Sequence, residues 1–196
     1  FGLAAFAVTL FATPSHAFFI NGKLADWGVS APFGSLVPAS GIASTIENDQ
    51  AIVPGGQSYD AEAMYAAFDS QYLYFAVVTG HPNVGTSGGA IRPGDIAFDF
   101  GGDGSYEYGI ETVNRGSLTA GSLYAVDSWK YASLNSDTPT EINASSLSNY
   151  SFLGSGALAY NSTYFGTSHY VIEGKIDHGY FAGDWGSPFV MSWTET

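Results

Sequence analysis

The chain has 196 residues, five of them Lys or Arg and eighteen Asp or Glu, for a formal charge of −13. So acidic and base-poor a sequence argues against nucleic acid or anionic lipid as a partner. With no Cys it has no disulfide, thiolate metal site or Cys nucleophile, and with 45% hydrophobic residues it can fill the core of one domain.

The first twelve residues, FGLAAFAVTLFA, are apolar and uncharged, with the length of an export-signal core. Thr13-Pro14 breaks the run, and Ser15-His16-Ala17 supplies the small residues of a cleavage site. Residues 1–17 are therefore expected to be a signal peptide, truncated at its N-terminus because the initiating Met and basic region are missing. Residues 18–196 are expected to form one exported domain, cut short at the C-terminus within the strand-like run Phe189–Trp193. No run reaches the roughly 20 apolar residues that cross a bilayer.

The mature part is rich in turns and aromatics, with 25 Gly, 8 Pro, 13 Tyr and 14 Phe, and it holds no sustained helical stripe. A first strand is expected at Phe18–Asn21. Tyr59–Phe68 and Tyr72–Thr79 then form the strongest pair, turning at Asp69-Ser70-Gln71. The second of these is apolar on both faces, as a central strand is. Asp95–Phe100 and Tyr106–Thr112 pair next across Gly101-Gly102-Asp103-Gly104, and Ser122–Tyr131 follows. Residues 133–168 read as long Ser/Gly/Asn-rich loops around short strands near Tyr150–Phe152 and Ala157–Tyr160. His169–Ile176 and Phe189–Thr194 close the list. The expected fold is all-β, an antiparallel β-sandwich of jelly-roll or immunoglobulin-like type.

The second hairpin carries the most chemistry. Ile96, Phe98 and Phe100 alternate with Asp95, Ala97 and Asp99, and Tyr108 and Ile110 alternate with Glu107, Gly109 and Glu111. Matching the apolar faces puts Asp99 opposite Glu107 and Asp95 opposite Glu111, with Asp103 at the turn. Like charges facing each other destabilise a sheet. Ca²⁺, which takes 6–8 oxygen ligands, would compensate Asp95, Asp99, Asp103, Glu107 and Glu111. The spacing departs from an EF-hand, since Gly101 stands where a second acid would be. Two other readings stay open: a solvated acidic edge that blocks aggregation, and a glycosidase carboxylate pair.

Four Trp punctuate the chain. Trp27 and Trp193 read as core. Trp129 and Trp185 sit among polar residues and Gly and are the candidates for stacking on a sugar. His81, His169 and His178 lack zinc spacing. No nucleophile-elbow, phosphate-loop or dinucleotide motif occurs in a suitable context.

INGKLADWG at Ile20–Gly28, AMYAAFDSQYLYFAVVTG at Ala63–Gly80 and YVIEGKID at Tyr170–Asp177 resemble segments of domains similar to the family 9 carbohydrate-binding module and the wider DOMON-like β-sandwiches. Asp69, Leu73, Tyr74, Glu173 and Ile176 carry the match, and Asn21 replaces the usual Asp. The acidic hairpin also resembles exported bacterial proteins with a C-terminal PEP-CTERM sorting signal, whose own motif does not occur in this sequence. The resemblance implies a Gram-negative secreted or cell-surface protein tied to exopolysaccharide. The expectation is a non-catalytic domain that binds carbohydrate or matrix with structural Ca²⁺. The alternative is an adhesive or structural surface protein that assembles through its sheet edges, and an enzyme ranks third.

Overall fold

The computed structural model describes residues 4–8, 18–30, 35–47, 56–132, 135–161 and 169–194. Among the described residues thirteen strands run in order: β1 Ala4–Val8, β2 Ala43–Ile46, β3 Ala61–Phe68, β4 Tyr72–Thr79, β5 Ile96–Phe100, β6 Tyr108–Ile110, β7 Ser122–Val126, β8 Trp129–Ala132, β9 Asn135–Ile142, β10 Tyr150–Ser155, β11 Ala157–Asn161, β12 Tyr170–Asp177 and β13 Phe189–Trp193. Every strand pairing is antiparallel. One sheet has the order β1-β13-β5-β6-β7-β10, the other β11-β12-β4-β3-β2, and β8-β9 form a separate ribbon. The fold is the expected antiparallel sandwich. Among the described residues no helix is long and apolar enough to cross a membrane.

Alternation along the strands builds the layers. Met64, Phe75, Val77, Ile172 and Ile176 of the five-stranded sheet pack against Ile96, Phe98, Ile110, Leu123, Met191 and Trp193 of the six-stranded sheet. The outer face of the five-stranded sheet is also apolar. Ala63, Tyr65, Tyr74 and Val78 bury Phe18, Leu24, Trp27 and Val29 of the segment 18–29. Trp27 and Trp193 are thus core residues, both fully buried. A bulge between Ala61 and Ala63 changes the phase of β3, so Ala61 turns to the inter-sheet core while Ala63 faces outward.

Several elements differ from the sequence expectation. Phe18–Asn21 is not a strand; it packs Phe18 and Ile20 on β3 and β4 without joining a ladder, while Phe19 is exposed. The expected strand Ser122–Tyr131 divides at Asp127-Ser128, and its second part leaves the sheet to pair with β9. That ribbon lies over the outer face of the six-stranded sheet, where Tyr124 and Val126 pack with Ile142, Leu118 and Trp129. β2 and β9 lie in stretches that carry no clear sequence period. Of the expected leader, only Ala4–Val8 lies within the described residues, and its backbone pairs along β13 from Ala4↔Trp193 to Val8↔Phe189.

Candidate functional site

β5 and β6 pair as Ile96↔Ile110, Ala97↔Gly109 and Phe98↔Tyr108. Continued one step each way, this register sets Asp99 against Glu107 and Asp95 against Glu111, as the alternation requires. All four acids are on the outer face. The ribbon then divides them into two groups.

At one end, Asp95 and Glu111 are fully buried and do not join the other three acids around one ion. They share Arg115, whose Nη2 lies 2.6 Å from Asp95 Oδ2 and 2.8 Å from Glu111 Oε2. Arg115 Nη1 meets Glu141 of β9 at 2.5 Å, and Lys130 of β8 reaches the same carboxylate at 2.9 Å. Asp95 also accepts from the backbone N–H groups of Ile142 (2.8 Å) and Thr112 (3.3 Å). A tight turn with mutual Arg115–Leu118 backbone bonds aims the guanidinium inward. Asp95 and Glu111, expected from the sequence to ligate a metal, have in this structure a compensating cation from the chain itself. Burial pushes both carboxyls up from the usual range against the opposing Arg115, with Glu141 raising both and Asp95 raising Glu111. Glu111 Oε1 has no hydrogen-bond partner among the described residues.

At the other end, Asp99, Asp103 and Glu107 bring one carboxylate oxygen each to within 4.8 Å of one another. Asp99 is almost wholly buried. Its Oδ1 accepts from the N–H of Gly102 (3.0 Å) and Asp103 (3.2 Å), and its Oδ2 from Gly104 (2.9 Å). Gly102 and Gly104 have φ of 70° and 89°, the left-handed region glycine tolerates, so the turn wraps the carboxylate with backbone donors. Glu107 accepts from Phe100 N–H at 2.8 Å, and its carboxyl is pushed up by burial and by the charges of Asp99 and Asp103. Among the described residues no ion pair reaches this triad.

Trp129 lies between the two groups. Its indole N–H donates to Tyr106 O at 2.7 Å, and its ring fills the space above Gly109, where an added Cβ would stand 2.6 Å from it. Trp185 is elsewhere: it packs with the inter-sheet core and stacks on His178, with centroids 4.4 Å apart and planes 1° apart. Both Trp are half-buried and do not form one platform.

The ends of the strands on the Arg115 side form a polar groove of about 490 Å³ lined by Asn83, Thr112, Asn114, Leu158 and Tyr160. A neighbouring hollow of about 310 Å³ shares Asn83 and Asn114 and extends to Arg92. Asn114 Oδ1 accepts from Ala120 N–H, which fixes its amide in the wall, and Tyr160 donates to His81 O at 2.7 Å. Sequence reasoning passed over this groove because its residues come from three separate loops and strands.

The resemblance motifs also meet in space. Glu173 of β12, fully buried, accepts from Asn21 N–H, Gly22 N–H and Trp27 Nε1–H, each at 2.8 Å. Asp69 of the hairpin turn accepts from Gln71 N–H, Tyr72 N–H and Tyr74 O–H. These acids hold backbone and side-chain donors of the fold. Comparison with protein-family models, curated proteins and solved structures finds no match to this chain.

Proposed function

We propose that the domain is a non-catalytic carbohydrate-binding β-sandwich of a secreted or cell-surface protein, with Ca²⁺ at Asp99, Asp103 and Glu107. The observation that carries the sugar reading is the polar groove. The amide of Asn114, held by Ala120 N–H, and the exposed amide of Asn83 can each donate to one sugar hydroxyl and accept from a neighbouring one, and Tyr160 adds an aromatic surface for C–H packing. The buried position of Asp95 and Glu111, both committed to Arg115, supports binding over hydrolysis, because a glycosidase needs its carboxylate pair open to the scissile bond. The likeness to carbohydrate-binding sandwiches favours the same reading.

A glycan array probed with and without EDTA tests it. Binding is expected to fall at least tenfold in Asn83→Ala, Asn114→Ala and Tyr160→Ala, and to survive in Trp185→Leu. Silence on neutral and acidic glycans alike would reject the reading. Loss in Trp129→Leu with full binding in the groove variants would move the site to the acidic corner.

Calcium has its own test. A site with Kd a hundredfold below the free ion concentration adds about 2.7 kcal/mol of stability. Millimolar Ca²⁺ is therefore expected to raise the melting midpoint by several degrees, and Asp103→Asn to abolish that rise without lowering the midpoint of the ion-free protein. An unchanged midpoint leaves the triad as a solvated acidic turn.

A further inference from the structure

The six-stranded sheet ends in β1 on one side and β10 on the other. The hydrogen-bonding direction of β10 follows from the ladder. Val126 N–H donates to Glu107 O, toward β6, so the alternate residues Ala125 and Asp127 face β10. Asp127 N–H accordingly donates to Asn149 O, and Ser151 stands opposite Ala125 as the bonded partner. The backbone groups of Tyr150 and Phe152 therefore point away from the sheet, and no backbone bond joins them to another described segment.

Chains normally guard such an edge with Lys, Pro or inward charges. Here residues 142–168, which hold both β10 and β11, contain no Asp, Glu, Lys or Arg, while the whole chain carries −13. Phe152 is 60% exposed on this edge, and nearby Leu147 is 79% exposed. Among the described residues the edge is interrupted by the bulge between Phe152 and Gly154, which ends the regular run at Phe152.

We propose that β10 is a self-association edge, and that a second copy of this chain pairs with it antiparallel about a two-fold axis at Ser151. In that register Tyr150 faces the partner's Phe152 and Phe152 the partner's Tyr150, and each pair exchanges two backbone hydrogen bonds. The two Ser151 residues meet as the unbonded pair on the axis. The exposed Phe152 ring is covered by the partner's Tyr150 on the same face, which also extends the row of rings in which Tyr124 lies 5.6 Å from Tyr150 and 5.9 Å from Phe152. Charge selects a second copy here. Two strongly acidic molecules repel across most of their surface, and the uncharged 142–168 stretch is where they approach at least cost. A two-fold contact needs a self-complementary strand, which Tyr-Ser-Phe supplies.

The full chain is measured by light scattering over a concentration series at low and high salt. Its mass is expected to rise from 20.6 kDa toward twice that value, at lower concentration in high salt where repulsion is screened. Phe152→Lys should stay monomeric. The chain has no Cys, so Ser151→Cys isolates the contact. It should form a covalent dimer on mild oxidation, because residues facing across a two-fold strand pair meet the geometry a disulfide requires, while Ser145→Cys, exposed in the same uncharged stretch, should not. A chain that stays at 20.6 kDa at all concentrations, or equal cross-linking by the two Cys variants, overturns the proposal. So does a monomer whose Phe152→Lys variant loses glycan binding, which would assign the edge to a polysaccharide.

Discussion

Arg115→Met is expected to leave the domain unfolded at pH 8 and folded near pH 4. In the native protein this one guanidinium sits among three carboxylates, two of them fully buried, with Lys130 assisting Glu141 alone. Removing one member of a buried ion pair costs about 3–5 kcal/mol, because the partner charge stays behind without compensation. Here two partners stay behind, against a total stability of about 5–15 kcal/mol for an ordinary domain. Only protonation relieves the strain. A buried carboxyl whose folded pKa lies above its unfolded value favours folding below the unfolded value and loses that contribution as pH rises through the folded one. Burial already pushes Asp95 and Glu111 up in the native protein, so native stability should itself decline from about pH 4.5 upward. Loss of Arg115 removes the charge that opposes this shift and steepens the decline. Urea unfolding followed by circular dichroism between pH 4 and pH 8 checks it, with the slope difference between variant and parent as the readout, since low pH also relieves the general acidic repulsion of the parent. Glu111→Gln in the parent is expected to flatten the pH dependence and raise stability at pH 8. A variant with parental stability and slope would show that water reaches and solvates the cluster.

The hairpin that holds these acids was legible because its signal is local. Strict alternation through Asp95–Phe100 and Glu107–Glu111 fixes both the buried face and the register, and the facing acids imply a compensating charge. The identity of that charge was not legible. Arg115 lies four residues beyond Glu111, in a loop where no strand period applies, and its orientation depends on the Arg115–Leu118 turn. Glu141 and Lys130 arrive on a ribbon that belongs to neither sheet. The only mark of β9 in the sequence is the alternation Thr138, Thr140, Ile142, which is too polar to stand out in a Ser/Thr-rich stretch even though all three residues are buried. Gly109 is a similar case. It reads as a gap in the acidic face, whereas it is the space that admits the Trp129 ring. Trp27 reads as core in the sequence, but Glu173, which holds its indole from β12, is distant by 146 residues and has no local signal beyond the resemblance.

Glu173→Ala is expected to release the segment 18–29 from the sandwich while the two sheets stay paired. Among the described residues the carboxylate is the acceptor for Asn21 N–H, Gly22 N–H and Trp27 Nε1–H, and it is fully buried. Hydrogen bonds to a charged group contribute about 1.5–3 kcal/mol each, and buried donors left without an acceptor add a desolvation cost. These terms overlap, and a combined loss of about 3–5 kcal/mol is expected. Gln cannot restore the contacts, since its amide offers one acceptor oxygen where the carboxylate uses two, and its NH₂ would confront a donor. Glu173→Gln should therefore fall between the parent and Glu173→Ala. The loss is local because Phe18, Leu24, Trp27 and Val29 form a cluster with the outer face of β3 and β4, separate from the inter-sheet core. Detachment would uncover Ala63, Tyr65, Tyr74 and Val78, so hydrophobic-dye binding should appear before the main unfolding transition. Hydrogen exchange should quicken across 18–30, with β4 and β12 still protected. Simultaneous loss of protection in all three segments would instead make Glu173 a keystone of the whole sandwich, with the 18–29 layer and the inter-sheet core unfolding as one cooperative unit.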